Sequence, residues 1–249
     1  MGSSKVSLLN IKFDNPGFEQ ALIDFNTKRF TVTPNIDHLY NLQHNREFLE
    51  AYRTADFILC DSKIISMLSR FACRERLMPV AGADFFPALC GFYSKDPAFK
   101  IFLLGGTTDI HSDTAREKLN ARFGPVVVGN YSPPFGFEKE EQEIKKIIEL
   151  VNVSAATVLA IGVGSPKQEL FINSYAGSFL KIKHFIAIGA TIDFESGMVK
   201  RAPEWMKAVG MEWFYRFLSE PKRLFRRYFI AGPQVVFKIL LFRFKREEG

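Results

Sequence analysis

For its first four-fifths the chain alternates between two hydrophobic patterns. Short runs rich in β-branched and aromatic residues occupy 6–11, 30–33, 57–60, 101–104, 126–128, 158–163 and 184–188. Between them, apolar residues recur at helical spacing over 18–25, 36–52, 63–71, 85–92, 108–123, 140–151 and 168–179. Strand and helix in alternation predict an α/β fold with a Rossmann-like, mostly parallel sheet and helices on both faces. Runs such as "IFLLGG", "VLAIGV" and "FIAIGA" lack the polar alternate positions of a half-solvated strand, which fits strands buried on both sides.

In such sheets ligands bind beyond the carboxyl ends of the strands, so the residues just after each run carry most of the information. They read "TPNIDH", "CDS", "GGTTD", "GNYSPPFGF", "GVGSPKQE" and "GATIDFESG". Any one of these also suits an ordinary turn or helix cap, as Asp61-Ser62 and Thr107-Thr108 would be. Six glycine- and amide-rich ends on one edge point instead to a ligand crevice, with Gly105, Gly164, Lys167, Gln168, Glu169 and Asp193 among its candidate contacts. "GVGSPKQE" has the strand–glycine–helix order of a phosphate-binding turn. It matches neither G-x-x-x-x-G-K-[ST] nor G-x-G-x-x-G, and no acidic ribose ligand is suitably placed for a nicotinamide dinucleotide.

From Ala202 the texture changes, and this divides the chain into an α/β domain, 1–201, and a helical appendage, 202–249. The sequence of 249 residues carries a formal charge of +6. Up to Val199 there are 21 Lys and Arg against 22 Asp and Glu; from Lys200 there are 12 against 5. The whole basic excess therefore lies in the last fifth of the chain, from Lys200, interleaved with both tryptophans and a series of phenylalanines. No stretch reaches the ~20 apolar residues of a membrane span. A basic, aromatic helical surface suits the membrane interface, or packing on the α/β core, or self-association that buries the aromatic face. The three cysteines show no C-x-x-C spacing and are expected to be reduced and buried in a cytosolic protein. The four histidines show no H-x-x-H pattern, so no metal site is expected. No signal-length apolar segment opens the chain.

Taken in order, "TPNIDHL", "AGAD", "FLLGG", "YSPPFG", "VGSPKQE", "GATIDFESG", "KRAPEW" and "MEWFYRFLSEPKRLFRRY" resemble the WecG/TagA/CpsF family of bacterial glycosyltransferases. The resemblance implies an inverting enzyme without a metal or other cofactor. Such an enzyme moves a sugar from a UDP-sugar to a polyprenyl-diphosphate-linked sugar in cell-surface polysaccharide synthesis, peripherally bound to the cytoplasmic face of the inner membrane. It further implies that Asp61 is the catalytic base, that Thr33 and Asn35 lie near the reacting groups, and that Gln168 contacts the donor. Arg216, Arg223 and Arg226 match the appendage arginines expected to meet the lipid diphosphate or UDP, for which forked guanidinium donors are suited. The sequence contains no D-x-D to hold a metal-bound diphosphate, so cationic side chains are expected to offset that charge.

Two positions depart from the family pattern. Ser62 stands where glycine usually follows the aspartate, and Pro79 stands where an arginine usually opens the segment "PVAGAD"; Arg74 and Arg76 are the nearby candidates to replace it. These departures sustain an alternative, a catalytically inactive UDP-sugar-binding module at the membrane. A nucleic-acid-binding reading of the basic tail leaves the α/β crevice unexplained, so no nucleic-acid partner is expected. Donor sugar, acceptor sugars and pathway are not legible.

Overall fold

The computed structural model describes residues 4–203, 205–206 and 211–247. Six strands form one parallel sheet: β3 (Phe30–Val32), β4 (Phe57–Ile58), β5 (Ile101–Gly105), β6 (Val127–Tyr131), β7 (Val158–Gly162) and β8 (His184–Ala187), in the order β4-β3-β8-β7-β5-β6. Ile101 pairs with Val158, Val158 with His184 and Phe30 with Phe185. Successive residues of these strands enter opposite cores. Leu159, Ile161, Phe185 and Ala187 pack on one face, while Val158, Ala160, Ile186 and Ile188 pack on the other. Both faces are dry, which is why the runs are apolar at every position.

The first run, read as a single strand, is instead a hairpin outside the main sheet. β1 (Lys5–Leu8) and β2 (Ile11–Asp14) pair antiparallel, with Leu9 at φ 56 in the turn. The buried Asp14 carboxylate accepts from Ile58 N–H at 3.0 Å and pairs with Lys5 at 3.2 Å, and so fastens the hairpin beside β4. The segment read as one helix over 36–52 is two, α2 (Ile36–Leu42) and α3 (Arg46–Thr54). Asn45 ends the continuity by accepting from Phe48 N–H at 3.0 Å, an N-cap that starts a new helix.

The remaining helices are α1 (Phe18–Phe25), α4 (Lys63–Cys73), α5 (Gly82–Phe92), α6 (Asp109–Phe123), α7 (Glu141–Val153), α8 (Lys167–Tyr175) and α9 (Thr191–Ser196). In the C-terminal segment they are α10 (Glu212–Ser219), α11 (Pro221–Phe225) and α12 (Gly232–Glu247), with a π-helical segment, Arg226–Ala231, leading into α12. α12 lies on α4 and α2 and buries Val235 and Ile239 there. Cys60, Cys73 and Cys90 are buried and form no disulfide. No helix among the described residues is long and apolar enough to cross a membrane.

Candidate active site

The loops after β3 and β4 cross the carboxyl edge of the sheet side by side, joined by Asp61 N–H donating to Pro34 O at 3.1 Å. Each then starts a helix with its own cap. Asn35 accepts from Asp37 N–H at 3.0 Å to open α2, and Ser62 accepts from Ile65 N–H at 3.3 Å to open α4. Between these caps, Asp61 faces a cavity of about 1140 Å³. That exceeds the roughly 300–1,000 Å³ of ordinary small-ligand sites and leaves room for two substrates.

The C-terminal helices roof the cavity. Glu212, Trp213 and Arg216 of α10, Arg227 and Tyr228 of the π segment, and Val236, Phe237 and Leu240 of α12 all line it. The roof determines the charge around Asp61, which is half-buried with its open side on the cavity. Desolvation raises its carboxyl, the Gly82 N–H at 3.1 Å lowers it, Glu212 raises it, and Arg216 and Arg227 lower it; the balance lies at about 7. His38, also on the wall, is neutral: burial, and then the charge of Arg227, hold its imidazole down to about 3.

The structure brings Thr33, Asn35, Asp61, Gly164, Gln168 and Arg216 to one cavity. Gly164 makes the turn into α8 at φ 85, a conformation that favours glycine. Gly105, Lys167, Glu169 and Asp193 are not on its wall. A Cβ at Gly105 would stand 2.5 Å from the Gly162 carbonyl carbon, so strand packing already accounts for that glycine. Lys167 pairs with Glu138 at 2.9 Å and covers the Phe135 ring. Asp193 Oδ1 accepts from Thr107 N–H at 2.8 Å and bonds His111 Nδ1 at 2.6 Å, tying α9 to the loop after β5. Arg226 is exposed and off the cavity wall, and the side chain of Arg223 lies outside the described residues.

Pro79 lies on the wall, paired beside Cys60 at the edge of the sheet. Neither Arg74 nor Arg76 reaches the cavity. Besides Arg216 and Arg227 of the roof, Arg201 reaches it, 2.5 Å from Asp84 Oδ1 and 3.7 Å from Glu212 Oε1, with Nε and Nη2 buried and lacking hydrogen-bond partners among the described residues. Arg201 stands in the quoted "KRAPEW", which was its signal. Arg227 adjoins Arg226 in the sequence, and nothing local distinguishes the two.

This arrangement places a carboxyl near neutrality, arginines from the roof, and hydrogen-bonding groups from the ends of β3, β4, β7 and β8 around one space. It can take a proton from a hydroxyl and offset charge on an anionic leaving group. A family model described as "Glycosyl transferase WecG/TagA/CpsF family" matches residues 6–249, nearly the whole chain. The chain belongs to the WecG/TagA/CpsF family of glycosyltransferases.

Proposed function

We propose that the protein is an inverting, metal-independent glycosyltransferase that moves a hexosyl or N-acetylhexosaminyl group from a UDP-sugar to a sugar carried on polyprenyl diphosphate, at the cytoplasmic face of the bacterial inner membrane. The observation that carries this reading is Asp61, a carboxyl held near neutrality at the carboxyl edge of a parallel sheet, with Arg216 and Arg227 on the same cavity. A group that ionises near the working pH is suited to general-base catalysis. In the reaction, the Asp61 carboxylate takes the proton of the acceptor hydroxyl as its oxygen bonds to the donor's anomeric carbon. The bond from that carbon to UDP breaks and its electron pair leaves with UDP. A single displacement inverts the anomeric configuration. Arg216 and Arg227 offset the charge gathering on the diphosphate, and Thr33 and Asn35 orient the reacting groups.

The appendage, 202–249, is proposed to rest on the membrane and present the site to a lipid-borne acceptor. Phe225 and Phe229 are each at least half exposed, and Lys222 and Arg226 are exposed beside them. That combination of rings and cations suits an anionic lipid surface, and Arg226 there is placed to meet a lipid phosphate.

The test is UDP release in the presence of EDTA from a panel of UDP-sugars, each with a short-chain prenyl diphosphate linked to N-acetylglucosamine or glucose. Release is expected with one donor, only with an acceptor present, and not from the Asp61→Asn variant. Silence across the panel in a protein that binds UDP would reject the transferase reading and favour a binding module.

A further inference from the structure

Gln168, the second residue of α8, is on the cavity wall although only 2% exposed. Both ends of its carboxamide are committed. Gly189 N–H, in the loop after β8, donates to Gln168 Oε1 at 3.1 Å, and Gln168 Nε2–H donates to Glu169 Oε1 at 2.8 Å. These partners define which way the amide faces. Turned over, it would set its oxygen against a carboxylate oxygen and its NH2 against a backbone N–H. A carboxamide has two N–H bonds and only one goes to Glu169, so the other remains for an occupant of the cavity.

Glu169 does not touch the cavity. It is 0% exposed, and its Oε2 has no hydrogen-bond partner among the described residues. His38 Nδ1 is 3.9 Å from Oε1, and that neutral imidazole is itself held by the Tyr52 hydroxyl at 2.6 Å. Besides Gln168, the Glu169 backbone N–H and Ser165 favour the charged form of the carboxyl, but burial outweighs them. A carboxyl buried in this way costs more than an apolar side chain of its size would, so packing alone does not account for a glutamate here.

We propose that Glu169 is a positioning residue of the nucleotide site. Acting through Gln168, it locks the carboxamide so that an N–H donor, rather than an oxygen, faces an acceptor oxygen of the nucleoside diphosphate. This rests on the reading of the cavity as a UDP-sugar site. Gly164 and Ser165, in the turn that leads into α8, lie on the same wall, at the N-terminal end of the helix where anionic oxygens are favoured. Burial pushes the Glu169 carboxyl up to about 7. Its Oε1 accepts from Gln168 whether or not Oε2 carries a proton, so the orientation holds on either side of neutrality.

The experiment is calorimetric titration of the full chain with UDP, alongside thermal melting, for the wild type, Glu169→Gln, Glu169→Leu and the exchange Gln168→Glu/Glu169→Gln. Glu169→Gln keeps an acceptor for Gln168 and is expected to hold the Kd for UDP within about threefold. Glu169→Leu frees the amide, and the Kd is expected to rise about tenfold. In the exchange, the new amide donates to the new carboxylate and Gly189 keeps its acceptor, so the network is satisfied and the melting temperature stays near that of the wild type. The cavity then meets a carboxylate oxygen, and UDP is expected to bind at least about tenfold more weakly. An exchanged protein that binds UDP like the wild type overturns the proposal, because a satisfied network would then be all that is needed. A tenfold loss in Glu169→Gln overturns it too, since charge and not orientation would be acting. Should Glu169→Leu not fold, the other two variants decide. A wild-type protein that binds no UDP refutes the reading of the cavity, and this assignment with it, before any variant is measured.

Discussion

Asp61 and Asp193 both follow a strand of the same sheet, yet their surroundings give them opposite tasks. Asp193 is spent on a backbone N–H and an imidazole, whereas Asp61 accepts one N–H and otherwise faces a cavity with its carboxyl at about 7. If Asp61 is the base, kcat/KM should climb as the pH passes upward through about 7, because only the ionised carboxylate takes a proton. Asp61→Asn should lower kcat by about 10²–10⁴-fold while melting no earlier than the wild type, since its amide oxygen still suits Gly82 N–H. A UDP-release pH profile and a melting curve check both; a variant keeping most of its turnover moves the base elsewhere. Glu169 yields a stability prediction with a defined sign. Its carboxyl is raised from 4.5 to about 7 on folding, so the folded chain holds a proton that the unfolded chain releases between those values. That stabilisation is complete below about 4.5 and is lost as pH rises through about 7. Glu169→Gln does not titrate, so its melting temperature relative to the wild type should rise between about pH 5 and about pH 8. A constant difference over that range would contradict the raised carboxyl.

The elements that complete the site are the C-terminal ones. α12 is fastened through Val235 and Ile239, 1% and 0% exposed, on α4 and α2. Ile239→Ala should cost on the order of 2–5 kcal/mol of that docking, by the lost transfer and the cavity left behind. The expected result is faster hydrogen exchange over α10 to α12 and a higher KM, with exchange in β5, β7 and β8 unchanged. The π segment just before α12 shifts the helical phase, and wide turns of this kind recur at functional sites. Within this segment Arg227 lines the cavity while Arg226 is exposed. Arg227→Ala should accordingly weaken UDP binding by about tenfold or more, the worth of a charge-assisted hydrogen bond, and Arg226→Ala by less than about threefold. The reverse ranking in calorimetry would place Arg226 at the diphosphate.

At the scale of the whole molecule, one surface faces a cavity and another faces out with rings and cations together. Replacing Phe225 and Phe229 with Ser removes only side chains that are at least half exposed and off the cavity wall. Binding to anionic vesicles is expected to fall about tenfold or more, because apolar area entering the interface contributes roughly 25 cal/mol per Å². The melting temperature and the turnover of a short, water-soluble acceptor should stay near wild-type values. Unchanged vesicle sedimentation would remove the membrane role from this face.

The hydrophobic pattern by itself determined an α/β chain, because the periods of strand and helix are set by neighbours two to four residues away. It likewise located Asp61 and the polar strand ends, since glycine turns and caps are written locally. Tertiary structure alone decided the rest. The first apolar run became a hairpin beside β4 because a buried Asp14 holds it there. The strand order placed β5 and β6 at one side, so Gly105 serves close packing, Asp193 serves a loop, and four strand ends instead of six surround the cavity. Arg201 reaching the cavity wall beside Asp84, and Arg227 lining it while Arg226 is exposed, depend on contacts between segments far apart in the chain. No periodicity within a single segment encodes such neighbours, because crossovers and packing, not spacing, bring them together.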